Sequence, residues 1–439
     1  MKITPRAIAL LVVLALPLAA RGGEAAAPRL EIGFGRACLD TEQKGVSLAG
    51  YGGRGLLPHR GVHDPIYVKV MVVRTPEKAV ALVTADLIGV QRTMLEALAE
   101  RGFPEHVELD PADVVLCASH THAGYGSLAQ ATGAPALDIL LFATCGNFRP
   151  AFFDEVVGKV RGAIVEAWDD LAPARIGIDS REVPGLARNR GKSGGVTDPE
   201  IGVIKVTDPR GKLRGLVVNF TAHPTILGAD NLLASAGYPG AVQRHLEERF
   251  EGAMALFTNG AEGDQSVKSP PGDYADAWAK VDATGKRLAE HVARIQEDIE
   301  VVDRIEVATR GAELAFPVPA EEHRKHYEGG QPKSLFRNLI LGDVLFLGLP
   351  GEPCCQIGLD LKAAARERGF RKVFILGLAQ DHCGYFVHDE DYGPGLEDVQ
   401  EYAKSLNFYG PGVGAFFHEV HFERFDPKPL RYGNKRPRR

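Results

Sequence analysis

Asp113-Val114-Val115-Leu116-Cys117-Ala118-Ser119-His120-Thr121-His122-Ala123-Gly124 opens as a short apolar strand and ends by delivering two imidazoles, a pattern that recurs along the 439-residue chain. Apolar, β-branched runs of this length bounded by turn residues mark buried strands. Further strands are expected over 67–73, 79–85, 201–207, 213–220, 339–349 and 373–378, with a shorter one over 254–258. Helical spacing of apolar residues, with charged opposite faces, predicts helices over 90–101, 152–171, 241–250, 274–299, 357–368 and 396–406. The alternation gives an α/β fold: a large mixed β-sheet core flanked by helices, with an active site at the carboxyl ends of strands. No repeat, low-complexity tract or linker cuts the chain, so residues 28–439 read as one domain.

Before them, Lys2 and Arg6 precede an apolar run from Ala7 to Ala20 that is short for a membrane span. Residues 1–27 are expected to be a signal peptide, cleaved after Ala20 or Ala27, and the protein to be secreted or periplasmic. An uncleaved anchor is the competing reading. Net charge is −6 and charged residues make up 25%, which gives no field for nucleic acid or an anionic membrane. The basic end from Lys435 to Arg439 reads as a solvated tail. Six cysteines without a CxxC spacing indicate neither a disulfide scaffold nor a cysteine metal site.

Five strand patterns are each followed at once by groups able to do chemistry: His120 and His122, then His223, then Asp264 and Ser266, then Glu352, then Tyr385. One shared crevice is the economical arrangement. HxH is a metal signal, and equally the mark of two histidines in a polar loop; both face one side if the extended backbone continues through them. Gly124 and Gly126 favour close approach of a ligand or of backbone. His223 is stopped by Pro224, and a lone histidine there is either a ligand or structural. Glu352, between Pro350 and Pro353, is a rigidly mounted ligand or base, or else caps the helix that starts near Gln356. Histidines with one carboxylate have the composition of a catalytic zinc site, in which the metal polarises a carbonyl and lowers the pKa of water to roughly 7. The glycine-rich Asn259 to Ser266 is neither GxSxG nor a phosphate loop; its serine is a nucleophile or a turn former.

In their order, these motifs resemble the neutral (alkaline, non-lysosomal) ceramidase family. Ala49-Gly50-Tyr51-Gly52 and Gly61-Val62-His63-Asp64 with Tyr67 are similar to its opening segments, Ala118 to Gly124 to its THTHSGP, Phe220 to Thr225 to its AxHPT and Leu349 to Pro353 to its LPGEP. The resemblance implies Zn²⁺ held by His120, His223, Glu352 and Tyr385, with His122 beside the substrate. Asn189-Arg190 is similar to the family's NR pair, which brings Arg190 to the site, and Gln400-Glu401-Tyr402 before Phe408 to Pro411 resembles its second active-site tyrosine, which adds Tyr402. Two features depart from the pattern. Gly263-Asp264-Gln265-Ser266-Val267-Lys268 stands where the family has GDVSPN, and Arg439 follows the closing YGP too soon for the family's immunoglobulin-like domain.

The expected function is hydrolysis of an N-acyl amide, ceramide to sphingoid base and fatty acid, with the metal and Tyr402 or Arg190 stabilising the oxyanion, His122 moving a proton, and Ser266 either nucleophile or substrate contact. The expected partner is a small lipid or N-acyl amide substrate, with peripheral membrane contact and no transmembrane segment. The rivals are a catalytically weak lipid- or glycan-binding protein and a zinc esterase or peptidase of small substrates. Shared metal ligation by Glu352 and Tyr385 also suggests a disulfide from Cys383 to Cys354 or Cys355.

Overall fold

The computed structural model describes residues 30–131, 135–317, 333–392 and 409–434. The expected helix over 396–406, Tyr402 on it, the leader at 1–27 and the basic tail lie outside these residues. The first part of the chain forms β1 (Glu31–Cys38), β2 (Tyr67–Arg74), β3 (Ala79–Ala85), helix α1 (Arg92–Arg101), β4 (Val114–Ala118), helices α2 (Pro135–Cys145) and α3 (Pro150–Asp169), and the two-residue β5 (Ala172–Pro173). Its sheet has the order β4-β3-β2-β1-β5. The second part adds β6 (Arg175–Glu182), β7 (Ala187–Asn189), β8 (Glu200–Thr207), β9 (Leu213–Phe220), α4 (Gly237–Arg249), β10 (Met254–Asn259), β11 (Gln265–Val267) and α5 (Ala277–Glu297). Here the sheet runs β10-β9-β8-β6, and β11 pairs with β7. The third part has β12 (Val307–Ala315), β13 (Lys333–Leu341), β14 (Val344–Gly348), β15 (Glu352–Pro353), α6 (Cys355–Glu367), β16 (Lys372–Leu376), β17 (Tyr385–Phe386) and α7 (Val413–His418), with the order β12-β13-β14-β16 and a β15-β17 ribbon.

Pairing is mixed, as expected: β3 with β4, β9 with β10 and β14 with β16 are parallel, while β1 with β2 and β12 with β13 are antiparallel. The core is divided among three sheets, and alternation along the strands explains how they stack. Val68, Val70 and Val72 of β2 pack with Phe152, Val156 and Ile164 of α3. Met71 and Val73 turn to the other face, where they meet Ile204 and Val217 of the second sheet and Val344, Phe346 and Phe374 of the third. The far faces of those sheets are covered by Leu246 of α4 and Leu288 of α5, and by Ile357 and Leu361 of α6. The result is four layers, helix, sheet, sheet, helix, and it explains why β2, buried along both faces, is mainly apolar, its one internal charge, Lys69, being paired with Glu247.

One strand expected over 339–349 is instead two, because Gly342, at φ +63, turns the chain between β13 and β14. No helix among the described residues is long and apolar enough to cross a membrane.

Candidate metal centre

β4 stops at Ala118, and His120 adopts φ +66, a left-handed conformation uncommon for a residue with a side chain. The extended geometry expected through His122 therefore does not continue. The two rings still converge, with His122 Nε2 3.4 Å from His120 Nε2. His120 Nδ1–H donates to the Ile88 carbonyl at 2.6 Å, which fixes the tautomer and leaves the Nε2 lone pair facing the site. Backbone, rather than a ligand, is what the nearby glycines admit: a Cβ at Gly124 would sit 2.7 Å from the Asp86 carbonyl oxygen, and one at Gly126 2.2 Å from that of Cys145.

His223, just beyond β9, repeats this arrangement: its Nδ1–H donates to the Glu262 carbonyl at 2.6 Å. Glu352 is placed by the β15-β17 ribbon, which sets it opposite Tyr385. Gly351 precedes it at φ +159, where a Cβ would come 2.5 Å from the Gly384 oxygen, so only glycine admits this close approach. Glu352 Oε2 lies 3.0 Å from His223 Nε2 and 3.2 Å from His120 Nε2. Tyr385 Oη is 3.2 Å from His223 Nε2. Capping of α6 falls to Asp264 and not to Glu352, since the Cys355 amide donates to the Asp264 carboxylate at 2.8 Å.

Burial opposes the charge of Glu352, but His120, His223 and His382 outweigh it and hold its carboxyl well below the usual range. Burial, then Arg190 and His120, push His223 down to about 3, and burial with His120 and His223 keeps His122 well below the ordinary histidine value. These rings are thus neutral, the form that binds metal. The donor set also attracts a positive group of the chain itself: Arg190 Nη2 donates to His223 Nε2 at 2.7 Å and to Tyr385 Oη at 3.0 Å. Two imidazole nitrogens, a carboxylate and a phenol around one point fit a divalent metal of the zinc type.

Three participants are not among the residues singled out from the sequence. His382 Nε2 is 3.0 Å from Glu352 Oε1. Glu262 is fully buried beside His120 and Glu352. Arg54, also buried, donates to the carbonyls of Ala49 and His122 and packs its guanidinium over Tyr51, whose ring lies 5.0 Å from that of His122.

The family description "Neutral/alkaline non-lysosomal ceramidase, N-terminal" matches residues 30–271, more than half of the chain. The chain belongs to this family. A neutral ceramidase of Pseudomonas aeruginosa is 25% identical over 93% of the chain and 73% of that protein. Neutral ceramidase 2 of Arabidopsis thaliana is 22% identical, over 62% of the chain and 37% of its own length. The crystal structure of neutral ceramidase from Pseudomonas aeruginosa superposes with a TM-score of 0.79 at 19% identity, covering 94% of this chain and 77% of the other.

Within this ceramidase fold, β11 sets Ser266 beside His223, joined by a parallel backbone bridge. Among the described residues no hydrogen bond joins the Ser266 hydroxyl to an imidazole. His63 of the opening segment stacks on Trp278, with ring centroids 3.7 Å apart, and bonds Asp64. All six cysteines are free thiols, which removes the Cys383 disulfide. The ribbon register explains it: Glu352 faces Tyr385 and Cys383 bonds the Pro350 carbonyl, so Cys354 sits four residues further along, about 13 Å at strand spacing, where a disulfide needs Cα atoms within about 7 Å.

Proposed function

We propose that this protein hydrolyses the amide bond of an N-acyl lipid of the ceramide class, using one zinc ion held by His120, His223, Glu352 and Tyr385. The convergence of the His120 and His223 Nε2 atoms on Glu352 Oε2 carries the reading; the neutral ceramidases among its relatives supply the substrate class. Bound there, zinc would polarise the amide carbonyl and acidify water. Arg190 orients the developing oxyanion with its guanidinium hydrogens, and Tyr402 is assigned to the same task. His122, kept neutral, accepts a proton at Nε2 and returns it to the leaving amine. Water is the nucleophile, and Ser266 holds a hydroxyl of the substrate. The basic, then apolar, leader at residues 1–27 supports an exported enzyme.

Metal analysis joined to a panel of fluorogenic N-acyl amides and esters tests this. The expected result is about one zinc per chain and amide turnover, both lost together in His223→Ala and Glu352→Ala. Amide hydrolysis that persists in metal-free protein would overturn the reading, and turnover of esters alone would move it to the esterases.

A further inference from the structure

Glu262 follows β10, and only its backbone carbonyl is accounted for, as the acceptor of His223 Nδ1–H. Its side chain is 0% exposed, and neither carboxylate oxygen has a hydrogen-bond partner. The nearby Tyr238 hydroxyl is spent on the Ala222 carbonyl. Room for the carboxylate is kept by Gly377, where a Cβ would come 2.5 Å from Glu262 Oε2. One oxygen of Glu262, one of Glu352 and a ring nitrogen of His120 all lie within 4.8 Å of one another.

An ionised carboxylate buried without a partner is costly, and a second carboxylate alongside raises the cost. Two carboxylates placed this close, one of them with no hydrogen-bond donor, form a site suited to a cation. His120 decides how many ions are involved. Its Nδ1 is committed to Ile88, so one lone pair remains, and one lone pair serves one ion. The His120–Glu262–Glu352 group and the His120–His223–Glu352 group therefore describe a single centre.

Resting on the metal reading above, we infer that Glu262 is a further carboxylate ligand of that same cation, beyond the four residues already assigned. The centre then carries two carboxylates against one divalent charge, with Arg190 as the neighbouring positive group.

The test uses metal-free full-length protein titrated with Zn²⁺ against a chromophoric chelator, with melting curves in the presence and absence of Zn²⁺. Wild type should take up one ion. Glu262→Gln, which keeps the shape and removes the charge, should bind about 10- to 100-fold more weakly. It should melt no lower than wild type without metal, yet gain less on adding Zn²⁺, a split that a purely structural role would not produce. Glu262→Asp serves as a second variant, with affinity between the two. Equal affinity in wild type and Glu262→Gln overturns the inference, as does uptake of two ions by wild type and one by the variant. If wild type binds no Zn²⁺, the metal reading itself has failed, and that result is distinct from both.

Discussion

His382 Nε2 lies 3.0 Å from Glu352 Oε1 while the other oxygen of the same carboxylate faces His120 and His223. Burial works against a charge on His382, but Glu352 outweighs it and raises the ring above its ordinary value. The pair fixes the carboxylate plane, as outer partners of metal ligands do. His382→Ala should lower Zn²⁺ affinity by about 10- to 100-fold at unchanged stoichiometry. Chelator competition measures it; unaltered affinity would mean that Glu352 needs no such support.

Ser266 separates two mechanisms. With water as nucleophile, Ser266→Ala should keep its zinc, raise KM for hydroxylated substrates more than it lowers kcat, and accumulate no acyl-enzyme. A serine nucleophile needs a positioned base, and none is hydrogen-bonded to Ser266 among the described residues. Intact-protein mass spectrometry during rapid turnover reads the outcome, and an acyl adduct on Ser266 would move the enzyme to the serine class.

Lys362 of α6 is buried between Asp198 at 2.5 Å and Glu200 at 2.8 Å. Burial opposes both charges in the Lys362–Glu200 pair, yet attraction wins: Glu200 is held below, and Lys362 above, its ordinary value. Lys362→Ala would strip two buried carboxylates of their nearest cation, leaving Glu200 with Arg366 at 3.7 Å, and should cost about 3–5 kcal/mol in urea unfolding. Lys362→Met combined with Asp198→Asn and Glu200→Gln should cost less than the single change, because no buried charge is left alone.

His421 gives a pH signature. Its ring packs near Phe336, Phe422 and Phe425, both nitrogens are buried without a partner, and burial pushes its pKa down to about 3. The unfolded chain binds this proton below about pH 6.5 and the folded chain does not, so stability is lost as pH falls from about 6.5 towards 3. By pH 5 the loss from this residue is about 2 kcal/mol. His421→Leu should lose correspondingly less stability between pH 7 and pH 5, as measured by urea unfolding at both values. An identical loss in variant and wild type would assign the acid sensitivity elsewhere.

The sequence expectations for β2, β3 and β9 held because those strands are buried on both faces and mostly apolar, so composition marks them despite Lys69, Arg214 and Asn219. β1 escaped notice for a physical reason. Its Gly33 and Gly35 lie against the α3 backbone, where a Cβ would come 2.0 Å from the Ala167 oxygen and 2.2 Å from that of Ala163, so close approach replaces the side chains that would announce a strand. β12 is partly exposed and carries Arg310 and Glu313, which hides it in a polar pattern. At the site, His120, His223 and Glu352 sit in compact motifs at strand ends. His382 is a lone histidine and Glu262 lies in the glycine-rich stretch 259–266, where Asp264 and Ser266 are the chemical candidates; ribbon register and the space at Gly377 bring the two in, and neither cause is written in local sequence.

The donors follow strands of all three sheets: His120 after β4, His223 after β9, and Glu352 and Tyr385 after β14 and β16, on the separate β15-β17 ribbon. Glu352 and His223 are 129 residues apart in the chain, so the pocket has no local nucleus and exists only once the sheets have docked. Capture of the proposed metal would then be a late event, one that reports completed assembly rather than guiding it. If the proposed zinc site is right, the folding chain would stay blind to the ion until its last sheet closes, and the rate of zinc uptake during refolding would be a clock for that closure.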